Sequence, residues 1–134
     1  MGITDIIYAE INRYRDRKLE EEEKRKIAYG MIKKILRSYI IGWEIHMASE
    51  IHGYYDNEIK THVDLLNDVL SEIYDMISED TRKKTLEVAK SMNRCATMPK
   101  GIGQENWKRY IECVENSIKE AKNIIDEIER LQHF

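Results

Sequence analysis

Acidic and imidazole side chains lie close together in one short part of the sequence. His46 and Glu50 are four residues apart, and Glu58 and His62 repeat that spacing. On a helix each pair shares one face, and a turn between antiparallel helices would bring the two pairs together. Carboxylates and imidazoles are ligands of zinc, iron and manganese, so these four residues are a candidate metal site. The spacing lacks the Glu-x-x-His pattern of di-iron bundles, which favours the alternative of surface hydrogen bonds without a cofactor.

A second candidate site precedes the last predicted helix, in a stretch that holds the only proline and two of the six glycines. Gly101 and Gly103 would let backbone N–H groups point towards an anion. Cations and an aromatic ring that could stack on a base flank them, at Arg94, Lys100, Trp107, Lys108 and Arg109. These seven residues predict a site for an anionic or nucleotide-like small ligand. The alternative is a simple turn with solvated cations, and it is favoured because the stretch contains neither a Walker loop nor a Rossmann fingerprint.

Catalytic chemistry finds little support in the sequence. The serines fall within or at the ends of predicted helices, without the glycine elbow of a nucleophilic serine. No catalytic residue is therefore assigned, and we expect a protein that is not an enzyme. A helix-turn-helix over residues 85–93 and 104–113 would need a connection much longer than the usual three or four residues. With a net charge of -3 and a pI near 5.9, nucleic acid is not the expected partner.

The number and spacing of the cysteines indicate whether the protein is expected in a reducing or an oxidising cellular compartment. Cys95 and Cys113 are the only two cysteines, and they form no Cys-x-x-Cys or Cys/His spacing. The first residues lack a basic segment followed by an apolar run, so no signal peptide is predicted. We therefore expect reduced thiols in a cytoplasmic protein, with a Cys95–Cys113 bridge as the alternative. No run approaches the ~18 apolar residues of a membrane span, so no membrane association is expected.

The elements that must position these residues are helices. The 134 residues are 42% hydrophobic and 35% charged, a composition typical of long helices, and the length predicts a single domain over residues 1–134. Apolar residues recur with helical spacing in five segments. The predicted helices cover residues 5–16, residues 19–51 with Gly53 just beyond the end, residues 57–77, residues 78–92 and residues 104–131. Residues 93–103 are predicted to be irregular.

The pattern predicts an all-α bundle of four or five mostly antiparallel helices. The second and fifth helices form its long spine, and the first and fourth pack shorter faces. Long amphipathic helices with surplus apolar residues commonly pair across a two-fold axis. We therefore expect a non-enzymatic interaction protein that binds a protein partner or forms a homo-oligomer. The isoleucine-rich and lysine-rich composition also suits a viral or mobile-element protein acting on a host factor. The small-ligand binder and the metal-binding bundle are the alternatives.

Overall fold

The computed structural model describes residues 2–49, 53–101 and 103–132. It contains five α-helices, and the described residues include no β-strand. This confirms the predicted all-α bundle. Among the described residues, no helix combines the length and the apolar character needed to cross a membrane. The helices are α1 (Ile3–Tyr14), α2 (Glu21–Ala48), α3 (Asp56–Ile73), α4 (Glu79–Thr97) and α5 (Gln104–Gln132).

Helices α2 to α5 form a closed four-helix bundle. Each packs on the next, and α5 returns to pack on α2. Contacts between α2 and α5 fix their relative direction, because Arg37 meets Glu129 whereas Tyr39, further along α2, meets Ser117. The two longest helices, with 28 and 29 residues, are therefore antiparallel as predicted.

Helix α1 lies outside this bundle, against α2 and α3. Its buried face carries Ile7 and Ile11. The Tyr8 hydroxyl donates to the Asp68 carboxylate over 3.2 Å, and Arg15 pairs with Glu72 one turn further along α3, so α1 and α3 run in parallel. This helix closes the groove between α2 and α3 and lengthens the core on that side.

Isoleucine dominates the core. Because β-branched side chains lower helix propensity slightly, these helices depend on tertiary packing more than on local preference. Full burial of one such side chain is worth about 1.5–3 kcal/mol. The isoleucines with no exposed surface come from all helices except α4, at Ile7, Ile32, Ile35, Ile59, Ile73 and Ile128.

Helix ends were predicted less well than helices. The start of α4 is as expected, since the Ser78 hydroxyl accepts from the backbone N–H of Thr81 over 3.1 Å. Helix α2 ends at Ala48, so Gly53 is not its capping residue, and α3 ends at Ile73 rather than near residue 77. The largest error concerns α4, which continues to Thr97.

The longer α4 has a clear physical reason. Cys95 and Ala96 are buried and extend the apolar face that includes Met92. The helix stops where Met98 adopts an extended conformation with ψ 154°, because a residue before proline is forced out of the helical region. Residues 93–97 are therefore helical, and the described residues of the connection, 98–101 and 103, lie outside any helix.

The expectation of reduced thiols is wrong. A disulfide joins Cys95 of α4 to Cys113 of α5, with their Cα atoms 5.6 Å apart. In sequence the two cysteines are equidistant from Gln104, where α5 begins, so an antiparallel hairpin of α4 and α5 brings them to the same level. The bridge fastens the two helices on either side of the 98–103 connection.

Removing this bridge should lower stability without changing the fold. For the 18-residue separation, chain-entropy arguments predict that Cys113→Ser loses about 3 kcal/mol in the free energy of unfolding. Urea titration followed by circular dichroism measures this loss, and wild-type protein in reductant should show the same loss. The control is Cys113→Ser itself, which reductant should leave unchanged. A wild-type midpoint insensitive to full reduction would contradict the prediction.

Candidate functional site

Aromatic side chains concentrate at the end of the bundle where α2 and α4 finish and α3 and α5 begin. Their ring centroids lie 4.8–6.3 Å apart, many in edge-to-face geometry. Residues of both predicted sites fall here, since this end contains the α2–α3 and α4–α5 connections. We call this cluster the aromatic end, and it comprises Tyr39, Trp43, His46, Tyr54, Tyr55, Trp107 and Tyr110.

A chain of hydrogen bonds runs through the aromatic end. The Tyr110 hydroxyl accepts from the backbone N–H of Tyr55 over 2.6 Å and donates to the Asp56 carboxylate over 2.8 Å. The Tyr55 hydroxyl donates to the Tyr39 carbonyl over 3.2 Å, and the Tyr39 hydroxyl lies 2.7 Å from Ser117 Oγ. Within the described part of the chain, no buried side-chain nitrogen or oxygen lacks a partner. The chain of bonds links α2, α3 and α5.

Three phenols of this cluster have raised pKa values. Burial raises the pKa of Tyr39 to about 12. It also raises the pKa of Tyr55 and Tyr110, and the neighbouring Asp56 carboxylate raises that of Tyr110 further. All three hydroxyls therefore keep their protons at neutral pH, as their hydrogen bonds require.

Gly42 makes room for this arrangement. A Cβ atom at position 42 would lie 2.1 Å from the Tyr55 hydroxyl oxygen and 3.3 Å from its Cζ. The structure shows a close approach by a tyrosine side chain from the α2–α3 connection.

Lys100 points into the aromatic end instead of into solvent. Its ammonium pairs with the Asp56 carboxylate and donates to the carbonyl of Ala96 at the end of α4. The same nitrogen lies 5.5 Å from the ring centroid of Tyr54 and 5.9 Å from that of Tyr110. The Lys100 and Asp56 side chains are 23% and 21% exposed. The positive charge predicted for an anion site is therefore paired within the protein.

The other residues of the predicted anion site are spread over several surfaces. Gly101 packs so closely on Asn106 that a Cβ would meet the amide nitrogen at 2.5 Å, and Gly103 has a φ of +150° that favours glycine. Trp107 stacks on Tyr110, while Lys108 and Arg109 are exposed on α5.

Arg94 faces a different part of the surface. It donates to Ser91 over 2.9 Å and lines a groove between α4 and α5 with Glu87 and Glu120. The structure therefore brings Lys100 and Trp107 to one cluster but leaves Arg94 outside it. An anion site over all seven residues stays a prediction, and the pairing of Lys100 with Asp56 removes its strongest attraction.

The two histidines of the predicted metal site have protein partners. His46 stacks on Trp43, and its Nε2 lies 2.6 Å from the carbonyl of Gly53. Buried His62 uses both ring nitrogens, with Nε2 2.9 Å from Ser38 Oγ and Nδ1 2.5 Å from the Glu58 carbonyl. In the described ranges, no three histidine, cysteine or carboxylate side chains come close enough to hold a metal. Glu50 lies outside the described residues, so a site that includes it stays a prediction.

Sequence reasoning missed the residues that organise this end. Tyr54, Tyr55 and Asp56 fall between the second and third predicted helices, and neither predicted site includes them or Tyr110. Their only signal is the density of aromatic residues on either side of two connections. A search for apolar residues with helical spacing does not detect this density of aromatic residues.

Gly42→Ala should lower the free energy of unfolding by about 1–3 kcal/mol, because the added methyl displaces the Tyr55 hydroxyl. The matched control is Gly30→Ala in the same helix, where a Cβ meets nothing within 4 Å and about 0.5–1 kcal/mol of stabilisation is expected. Urea unfolding measures both. In a Tyr55→Phe background, which lacks the clashing oxygen, Gly42→Ala should be milder. Equal losses in the two backgrounds would refute the proposed clash.

His62 should make stability depend on pH. Burial lowers its pKa below the ordinary value of 6.5, although the Glu58 carbonyl partly opposes this shift. Below about pH 6.5 the unfolded chain binds more protons than the folded chain, so the free energy of unfolding falls as the pH falls through this range. Urea unfolding at pH 7.5 and 5.0 should show a smaller difference for His62→Gln than for wild type. A difference in His62→Gln as large as that of wild type would rule out this role.

Similarity to known proteins assigns no function to these residues. Comparison with protein families, curated proteins and solved structures finds no match for this chain.

Proposed function

We propose that the protein is a non-enzymatic interaction protein that associates with a second copy of itself through α2. The observation that carries this proposal is the exposure of Ile41 and Ile45, which are 54% and 66% exposed on successive turns of α2. Ala48, one turn further on, is also exposed. We call these three residues the α2 face. Removing isoleucine surface from water on association is favourable by about 25 cal/mol per Å².

Charge favours a second copy as the occupant of the α2 face. Arg37 and Glu44 are two turns apart, and both lie beside Ile41. Arg37 pairs with Glu129 of its own copy and its side chain stays 48% exposed. If two α2 helices pair antiparallel across a two-fold axis near Ile41, this exposed guanidinium also approaches Glu44 of the other copy. An isologous contact of this kind requires a self-complementary surface, and opposite charges flanking an apolar centre provide one.

The hydrogen bonds of the aromatic end support a non-enzymatic role. Polar groups of the kind that bind or activate a substrate are bonded to one another here, as in the pairing of Lys100 with Asp56. The phenols of Tyr39, Tyr55 and Tyr110 retain their protons. This arrangement favours a rigid scaffold that presents surfaces to a partner.

Association should depend strongly on concentration. A contact confined to three turns of one helix is small beside the ~1,200–2,000 Å² of a stable interface, so we expect a dimer that dissociates on dilution. Sedimentation velocity over a wide concentration range should show wild type moving from monomer to dimer. In Ile45→Lys the dissociation constant should rise more than about tenfold, because a two-fold contact loses the side chain twice.

Leu86→Lys is the matched control, because Leu86 is an exposed apolar residue of α4, away from the α2 face, and is 39% exposed. It should associate like wild type.

Charge exchange tests the antiparallel arrangement: Glu44→Arg should weaken association, and adding Arg37→Glu should restore it. A wild type that stays monomeric at all concentrations would overturn the proposal and point to a different protein as the partner. Because Arg37→Glu also removes the pair with Glu129, the double variant is compared with Arg37→Glu alone. A double variant that associates no better than either single variant would refute the antiparallel register.

A further inference from the structure

The rings around Lys100 have the geometry of a cation-binding cage. Tyr54 is nearly perpendicular to Tyr110, at 89° with centroids 4.8 Å apart, and to Trp107, at 75° and 5.5 Å. Trp107 and Tyr110 are close to parallel, at 17°. Aromatic faces attract a cation within about 6 Å of their centroids, and the Lys100 ammonium lies within that distance of Tyr54 and Tyr110.

A carboxylate completes the cage. Asp56 pairs with the Lys100 ammonium and also accepts from the Tyr110 hydroxyl, which holds the carboxylate and the ring together. The carbonyl of Ala96 adds a second oxygen acceptor for the ammonium. Two aromatic faces, a carboxylate and a carbonyl are the groups that recognise a desolvated alkylammonium ion.

Three walls of the cage are held independently of Lys100. Trp107 and Tyr110 belong to α5, Asp56 begins α3, and Tyr110 is fixed by the backbone N–H of Tyr55. Lys100 itself belongs to the short 98–103 connection, outside any helix. Withdrawal of its side chain would leave an acidic aromatic recess, and the partial exposure of Lys100 and Asp56 provides a route from solvent.

We propose that this recess is a binding site for an alkylammonium cation, such as a lysine side chain of a partner, and that Lys100 occupies it as an internal competitor. An external ammonium binds only when Lys100 withdraws, so its apparent affinity is reduced by the fraction of time the recess is open. The site therefore selects a cation, the opposite charge to that suggested by the cluster of basic residues in the sequence. The proposal does not depend on association through α2.

The test uses n-butylammonium, which matches the end of a lysine side chain, and follows the indole N–H signals of the two tryptophans by NMR. In Lys100→Ala the Trp107 signal should shift saturably, with an apparent dissociation constant at least about tenfold below that of wild type. Trp43 is 4% exposed and should shift much less. Adding Tyr54→Ala to Lys100→Ala should abolish binding. Lys108→Ala is the control, since it removes a nearby exposed cation and should bind like wild type.

A wild-type measurement covers the case in which Lys100→Ala does not fold. Ring currents from Tyr54 and Tyr110 should shift the Lys100 ε-methylene protons upfield, and excess n-butylammonium should return them to ordinary lysine values. If these signals stay unmoved, or if folded Lys100→Ala binds no tighter than wild type, the proposal is overturned. Equal binding by tetramethylammonium, which cannot donate to Asp56 or Ala96, would also overturn recognition of a lysine-type ammonium.

Discussion

The hydrogen-bond chain from Asp56 through Tyr110 and Tyr55 to Tyr39 is the constraint on which the rest of the structure depends. Apolar contacts are not directional, so an isoleucine-rich core tolerates small sliding movements between helices. A buried donor or acceptor that loses its partner costs about 1–3 kcal/mol. Displacing α5 by one residue would separate Tyr110 from both of its partners. The polar chain therefore sets the register that the isoleucines alone leave loose.

The two ends of the bundle consequently differ in character. At the aromatic end, directional bonds, the Cys95–Cys113 bridge and stacked rings hold the helices. Towards the opposite end, partly exposed ion pairs such as Arg37 with Glu129 and Lys84 with Glu127 join the helices. Such pairs contribute about 0–1 kcal/mol each. Binding surfaces benefit from rigid supports, and both proposed surfaces adjoin the aromatic end.

The α2 face and the aromatic end share one stretch of helix. Tyr39 and Trp43 point inward from α2, while Ile41 and Ile45 point outward from the same turns. The packing of Tyr39 and Trp43 limits the motion of the backbone that bears Ile41 and Ile45. Less conformational entropy is therefore lost when these isoleucines bind a second copy. Gly42 lies between them, and its missing side chain is what lets Tyr55 reach the carbonyl of Tyr39.

The sequence predicted the helices well because apolar periodicity determines which faces are buried. It predicted helix ends poorly. In α4 the helix was expected to end before Asn93, but buried Cys95 and Ala96 continue its apolar face. The same error concealed the disulfide, because Cys95 lies beside Cys113 only when α4 extends past residue 95.

The sequence predicted candidate sites at the two connections that meet at the aromatic end, but the pairing of Lys100 there could not be deduced from local sequence. Counting charges around Gly101 and Gly103 gives a basic loop. The partner that neutralises Lys100 is Asp56, which lies on α3 and comes close only when α3, α4 and α5 pack together. A basic residue in a loop attracts anions only if folding brings no carboxylate to it. Here folding brings Asp56, together with two aromatic rings, and the recess around the lysine becomes one that suits a cation.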